Sequence, residues 1–188
     1  WLGILLVIFN VALYILFYAI TRIQINSRKT LEFQATHDAL TELPNRHFLN
    51  SMGGSWKKDW NRKAALIFID MNNFKATNDF YGHRMGDSLL KVVARRLKQS
   101  FEGDIVIRLG GDEFIVLTRD HAAEVLEPKA KSFLENLKQT IELNGIDFNL
   151  YATIGISRFP EDGDDVDELL RKADIAMYDA KRRKLPFQ

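Results

Sequence analysis

The sequence predicts an α+β domain, a central and mostly antiparallel sheet surrounded by helices in an α/β sandwich, preceded by one transmembrane helix. Three observations predict it. The first twenty residues contain no charged side chain. From Ala64 onward, short β-rich runs alternate with longer segments whose apolar residues recur at helical spacing. Two of the β-rich runs flank Gly110-Gly111 closely enough to read as a hairpin, which makes those two neighbours antiparallel.

Length and composition bound what such a chain can be. Its 188 residues suit one domain of ordinary size plus an appendage. Hydrophobic residues make up 46 % and charged residues 27 %, enough for a packed core. Twenty-six basic residues balance 25 acidic ones, for a net charge of +1, which argues against a broad nucleic-acid-binding surface. The absence of cysteine excludes a disulfide framework, a thiolate zinc site and a cysteine nucleophile. The chain starts at Trp1 rather than Met, so a fragment of a longer protein is expected.

Residues 1–20, WLGILLVIFNVALYILFYAI, have Asn10 as their one strongly polar side chain. About 20 helical residues at roughly 1.5 Å each cross a bilayer core of about 30 Å. A cleaved signal peptide fits poorly, because no basic residue precedes the run and no small-residue cleavage site follows it. Arg22, Arg28 and Lys29 come directly after, and the positive-inside rule then places the C-terminal side in the cytoplasm, below an inner membrane. Residues 21–34 are polar and lack Gly and Pro, as expected of a helical linker. Asp38, Thr41, Pro44 and Asn45 bring turn chemistry, so the domain boundary falls at Ala35 and the domain spans 35–188.

The remaining elements follow in order. Residues 46–60 read as a helix weakened by Gly53-Gly54, and 64–70 (AALIFID) as a buried strand. Residues 73–80 make a short helix or turn. Leu89, Leu90, Val93 and Leu97 place a helix over 86–100. Strands are expected over 104–109 and 113–118, a helix over 121–143, a strand over 148–157 and a last helix over 166–184.

Two carboxylate sites stand out. Asp70 ends an apolar strand, and Asp112 and Glu113 follow two glycines at a hairpin tip. Carboxylates at strand ends and hairpin tips can line one edge of a sheet. A few oxygen ligands of this kind suit Mg²⁺, which retains water and completes its shell from substrate phosphates. The glycines permit close backbone approach to a nucleotide. The same residues also read as plain turn chemistry, since Gly-Gly-Asp is a good hairpin turn. The basic run 181–184 reads as a solvated helix end complementing the helix dipole. His37, His47, His83 and His121 have no metal-ligand spacing.

The combination of motifs resolves these alternatives. RLGGDEF at 108–114 resembles the signature of the GGDEF-domain diguanylate cyclases. HDALTELPNR at 37–46, FIDMNNFKATNDFYGHRMGD at 68–87 and ADIAMYDAK at 173–181 resemble three further motifs of that family, in the family's order. The resemblance implies an antiparallel-sheet fold related to the polymerase palm and the nucleotidyl cyclases. It implies condensation of two GTP into cyclic di-GMP and two pyrophosphates, with Mg²⁺ or alternatively Mn²⁺, at a site shared by two facing domains of a homodimer. A catalytically silent GTP-binding sensor is the alternative, and it would be expected to show a broken signature.

The resemblance also implies roles. Asp70, Asp112 and the carbonyl of Met71 match metal ligands, and Glu113 matches a position of metal binding or base assistance. Phe74 and Lys75 match a turn that approaches phosphates through backbone N–H groups. Lys75, Lys181 and Arg108 would add positive charge there, and Gly110 and Gly111 would let the nucleotide approach. Asn78 and Asp87 match the guanine-reading pair. A carboxylate accepts from guanine N1–H and the exocyclic amine, and an amide both donates and accepts. Departures exist. Asn72 stands where a second Asp is frequent, and Leu185-Pro186 replaces a common Gly-Arg-Asn continuation. At the family's inhibitory product position, Phe101 and Asp104 replace an Arg-x-x-Asp pair. A ring that can stack but not donate takes the place of a guanidinium, so that inhibitory site is expected to be absent.

Overall fold

The structure, a computed structural model, describes residues 1–53, 63–185 and 187. Helix α1 (Leu2–Thr36) runs unbroken through the apolar segment and the polar one that follows. It is long and apolar enough to cross a membrane, and none of the described residues of its apolar window is buried. It ends where His37 turns extended, and the His37 ring stacks on Phe33 with centroids 3.8 Å apart. The loop that follows is held by its own polar side chains. Thr41 donates to Asp38 Oδ1 through both its backbone N–H and its hydroxyl. Asn45 caps helix α2 (Arg46–Met52), accepting from the Phe48 N–H at 3.0 Å. The later half of the helix expected over 46–60 lies outside the described residues.

Strand β1 (Ala64–Met71) is central to a four-stranded sheet ordered β2-β3-β1-β6, with β2 (Ile105–Gly110), β3 (Glu113–Thr118) and β6 (Ala152–Phe159). Every neighbouring pair is antiparallel. β1 is apolar on both sides because both faces are covered. Ala65, Ile67, Ile69 and Met71 enter one core with helices α4 (His83–Ser100) and α5 (Ala123–Lys138). Ala64, Leu66 and Phe68 enter the other, against helix α6 (Val166–Arg183) and Leu49 of α2. Gly155 of β6 lies against α6 so closely that a Cβ there would sit 1.9 Å from the Ala173 carbonyl oxygen. A short helix α3 (Phe74–Tyr81) links β1 to α4.

Two expectations are corrected. The helix expected over 121–143 stops at Lys138, and β4 (Ile141–Leu143) and β5 (Ile146–Phe148) form a separate hairpin. Asn144 and Gly145 both take positive φ, 53° and 75°, as a two-residue hairpin turn requires. The strand expected over 148–157 is therefore divided between β5 and β6, which continues to Phe159. The Asn-Gly pair was the local signal. The apolar spacing that runs through it masked the change of period.

Candidate functional site

The sheet brings the carboxylates together. Asp70 pairs with Glu113 in the β1–β3 register, and the Met71 N–H donates to the Asp112 carbonyl at 3.3 Å. Asp112 sits in the two-residue tip, with Gly110 and Gly111 both at positive φ. A bulge between Arg108 and Gly110 sets the tip's direction. Three acidic residues thus share one end of the sheet. Burial pushes the Asp112 carboxyl above its ordinary range, and the nearby Asp70 adds to the effect. Burial also raises Glu113, helped by Asp70, Asp112 and Asp174. Mutually repelling carboxylates in a partly dry site are the environment a divalent cation relieves. Among the described residues no three His, Asp or Glu side chains are grouped as a complete metal cage. The donor set is instead a sparse oxygen one, which fits Mg²⁺ sharing its shell with phosphate and water. Lys181, from the last turn of α6, donates to Asp70 Oδ1 at 2.5 Å and supplies a counter-charge there.

Beside this end lies a cleft of about 540 Å³ lined by Lys75, Asn78, His83, Asp87, Gly111 and Asp112, among others. Phe74, Asn78 and Asp87 of the 68–87 motif and Arg108 of the 108–114 motif line the same space. Phe74 is 5 % exposed, and its ring belongs to the core. Asn73 takes φ 57° and gives α3 no side-chain cap, leaving the first N–H groups of that helix for another acceptor. Asn78 is held close to α4. A Cβ at Gly86 would stand 1.9 Å from Asn78 Oδ1, so only glycine admits the amide. Asp79 also lines the cleft, which sequence reasoning did not single out.

Arg108, expected as a phosphate contact, lines the cleft and is also bonded within the protein. Its Nη1 donates to Asp38 Oδ1 at 2.8 Å, and Nε and Nη2 both donate to the Gly111 carbonyl. The side chain is a strut inside the protein. Burial would raise the Asp38 carboxyl, but hydrogen bonds from Thr41 and Arg108 outweigh it and hold the group below its ordinary value. Phe101 also differs. Its ring is 1 % exposed and packs against Phe133, so it cannot stack on a ligand. Asp104 is taken by Lys129, which also bridges to Asp120. Asn72 accepts from the Thr153 hydroxyl at 2.9 Å.

The domain is an α+β one: an antiparallel sheet with carboxylates at one end, beside a cleft lined by an amide and a carboxylate. The chain belongs to the GGDEF family: the family model described as "Diguanylate cyclase, GGDEF domain" matches residues 35–185. It is 41 % identical over 161 residues to the diguanylate cyclase TpbB of Pseudomonas aeruginosa PAO1, covering 82 % of this chain and 37 % of that protein. It is 34 % identical over 163 residues to the cyclic di-GMP phosphodiesterase NbdA of the same organism, covering 83 % and 20 %. The crystal structure of the GGDEF domain of PA1120 (YfiN or TpbB) from P. aeruginosa aligns with a TM-score of 0.71 at 38 % identity, covering 76 % of this chain and 92 % of that one. The chain thus spans between a fifth and two-fifths of the length of these two curated relatives.

Proposed function

We propose that the chain is the output portion of a membrane-anchored diguanylate cyclase, converting two GTP into cyclic di-GMP and two pyrophosphates. Residues 1–20 form the span, 21–34 the helical linker and 35–188 the catalytic domain, on the cytoplasmic side. The observation that carries this reading is the nearness of Asp70 to Asp112, which lines the cleft together with Asn78 and Asp87.

Asn78 and Asp87 read guanine, whose N1–H and amine need an acceptor. The uncapped N–H groups at Phe74 and Lys75 receive phosphate oxygens, and the Lys75 ammonium adds charge. Asp70, Asp112 and the Met71 carbonyl hold Mg²⁺ or Mn²⁺, which supplies Lewis-acid charge at the phosphate under attack. Glu113 joins this set or accepts a proton from the attacking hydroxyl. In each half-reaction the 3′-oxygen of one nucleotide bonds to the α-phosphorus of the other. The bond to the bridging oxygen breaks, and pyrophosphate leaves with the electron pair. One domain presents one nucleotide, so two chains must face each other. In this reading the usual product-inhibition position is inoperative; the burial of Phe101 in the core and the pairing of Asp104 with Lys129 support that.

The test is turnover by the full chain in lipid nanodiscs with GTP and Mg²⁺, separated by chromatography. Cyclic di-GMP formation that vanishes in Asp112→Ala is expected. No product at any protein concentration would leave a silent GTP-binding module as the reading.

A further inference from the structure

A groove of about 410 Å³ lies between the loop that follows α1 and the exposed face of α4. It shares no lining residue with the cleft of Asn78 and Asp87. Leu40 and Glu42 line it from the loop, and Lys91, Ala94, Arg95 and Lys98 line it from the helix.

The helix by itself does not account for the three cations. A basic residue in the last turn complements the helix dipole, which explains Lys98. Lys91 and Arg95 lie further in, where that effect has fallen off. Lys91 and Arg95 are four positions apart and Arg95 and Lys98 three, spacings at which like charges repel on a helix. Among the described residues none of the three is in an ion pair, and neither is Glu42, which lines the same groove. The neighbouring Arg96 is used quite differently: its Nη1 donates to the carbonyls of Asn136, Leu137 and Gln139 and so holds the end of α5. α4 thus commits one arginine to the fold and leaves three exposed cations facing one groove.

The dimensions and lining of the groove select a ligand. Lys91 and Lys98 are separated by about 10 Å along the helix axis, at roughly 1.5 Å per residue. Arg95 between them offers a planar fork that takes phosphate oxygens in pairs. Leu40 and Ala94 give the wall an apolar stretch, which suits carbon between two charged groups. We propose that this groove binds a soluble organic bisphosphate, its phosphates held by Lys91, Arg95 and Lys98 and its carbon skeleton against Leu40 and Ala94. An anionic lipid headgroup carries the same chemistry, but its distance is wrong. With residues 1–20 in the bilayer, the rest of α1 holds the loop about 24 Å from it, at roughly 1.5 Å per residue and well beyond a Debye length of about 8 Å. The loop wall is bonded through Asp38 to Arg108, and α4 carries Asp87. An occupant therefore joins two elements that reach the cleft, without entering it.

The experiment titrates the full chain, in phosphatidylcholine nanodiscs, with hexanediol bisphosphate and follows binding by calorimetry. In Lys91→Ala/Arg95→Ala/Lys98→Ala the Kd should rise about tenfold or more, with the melting temperature of the free chain unchanged. Glu42→Gln should lower the Kd, a change of opposite sign that misfolding cannot produce. Hexyl phosphate, with a single phosphate, should bind about tenfold more weakly than the bisphosphate. Lys75→Ala, in the cleft, should leave the Kd as it is, and so should replacing phosphatidylcholine by phosphatidylglycerol. No binding by the unmodified chain, a Kd unaltered in the triple variant or raised in Glu42→Gln, or equal affinity for hexyl phosphate would overturn the proposal. Binding lost in Lys75→Ala would overturn it by moving the ligand to the cleft. Competition by phosphatidylglycerol would overturn the soluble ligand and give the groove to lipid headgroups.

Discussion

Arg108 Nη1 lies 2.8 Å from Asp38 Oδ1, joining residues seventy positions apart, while Nε and Nη2 hold the Gly111 carbonyl. The loop that receives α1 is thereby bonded to the hairpin tip that carries Asp112. Removing Asp38 strands a guanidinium that is 9 % exposed. We expect Asp38→Ala to lower unfolding free energy by about 2–4 kcal/mol. Turnover should fall as well, although Asp38 is not among the residues lining the cleft. Urea denaturation of the detergent-solubilised chain and the GTP assay measure the two effects.

The same pair gives a pH dependence. The Asp38 carboxyl is held below its ordinary value in the folded chain by hydrogen bonds from Thr41 and Arg108. Folded chains therefore release its proton more readily than unfolded ones. Its stabilisation is fully present above the unfolded value and is lost as pH falls through the lower folded one. The melting temperature difference between wild type and Asp38→Asn should be constant near neutrality and shrink below about pH 4. A difference that persists undiminished at pH 2.5 would contradict this ionic account.

Gly86→Ala tests the proposed guanine-reading role of the cleft without touching a charged group. The added methyl would stand 1.9 Å from Asn78 Oδ1 and must displace that amide. Gly86 lies within α4, where alanine favours the helix by roughly 0.5–1 kcal/mol. Thermal stability should hardly change, while KM for GTP rises and discrimination against ATP shrinks. Lost discrimination of about tenfold corresponds to about 1.4 kcal/mol, within the range for one buried unsatisfied polar group.

Gly155→Ala should act on the fold. Its methyl would meet the Ala173 carbonyl oxygen at 1.9 Å and the Met177 nitrogen at 2.4 Å, both backbone atoms of α6. Neither can rotate away, so α6 must shift from the sheet and carry Lys181 with it. A loss of about 3 kcal/mol or more is expected from such overpacking. Calorimetry that finds less than about 1 kcal/mol would show the interface to be slack.

Phe101→Arg separates a surface role from a core one. Were the ring exposed, arginine would create a product-binding fork. The ring is instead 1 % exposed against Phe133, so the substitution buries an unpaired cation. We expect about 4 kcal/mol of destabilisation or failure to accumulate folded protein. A well-folded variant newly inhibited by added cyclic di-GMP would contradict the packing.

Much of the molecule was legible in sequence because its determinants are local. An uninterrupted apolar run specifies a long helix; Asn45 specifies the cap of α2; two-sided apolarity specifies β1 as a buried strand. The end of α5 was misjudged where two local rules compete, an apolar period continuing while Asn144-Gly145 imposes a hairpin. The candidate site residues were visible as separate motifs, and the sheet register shows how Asp70 and Glu113 come to lie side by side.

The sequence by itself determined the order of elements, the residues with metal- and guanine-compatible chemistry, and the family that unites them. Only the tertiary structure decided which of those side chains are free to act. Arg108 and Phe101 look alike in the one-dimensional pattern as residues flanking a signature. Yet one is spent on Asp38 and Gly111, and the other is enclosed with Phe133. Hydrogen bonding and burial depend on partners tens of residues away, which chain-local periodicity and turn chemistry do not encode.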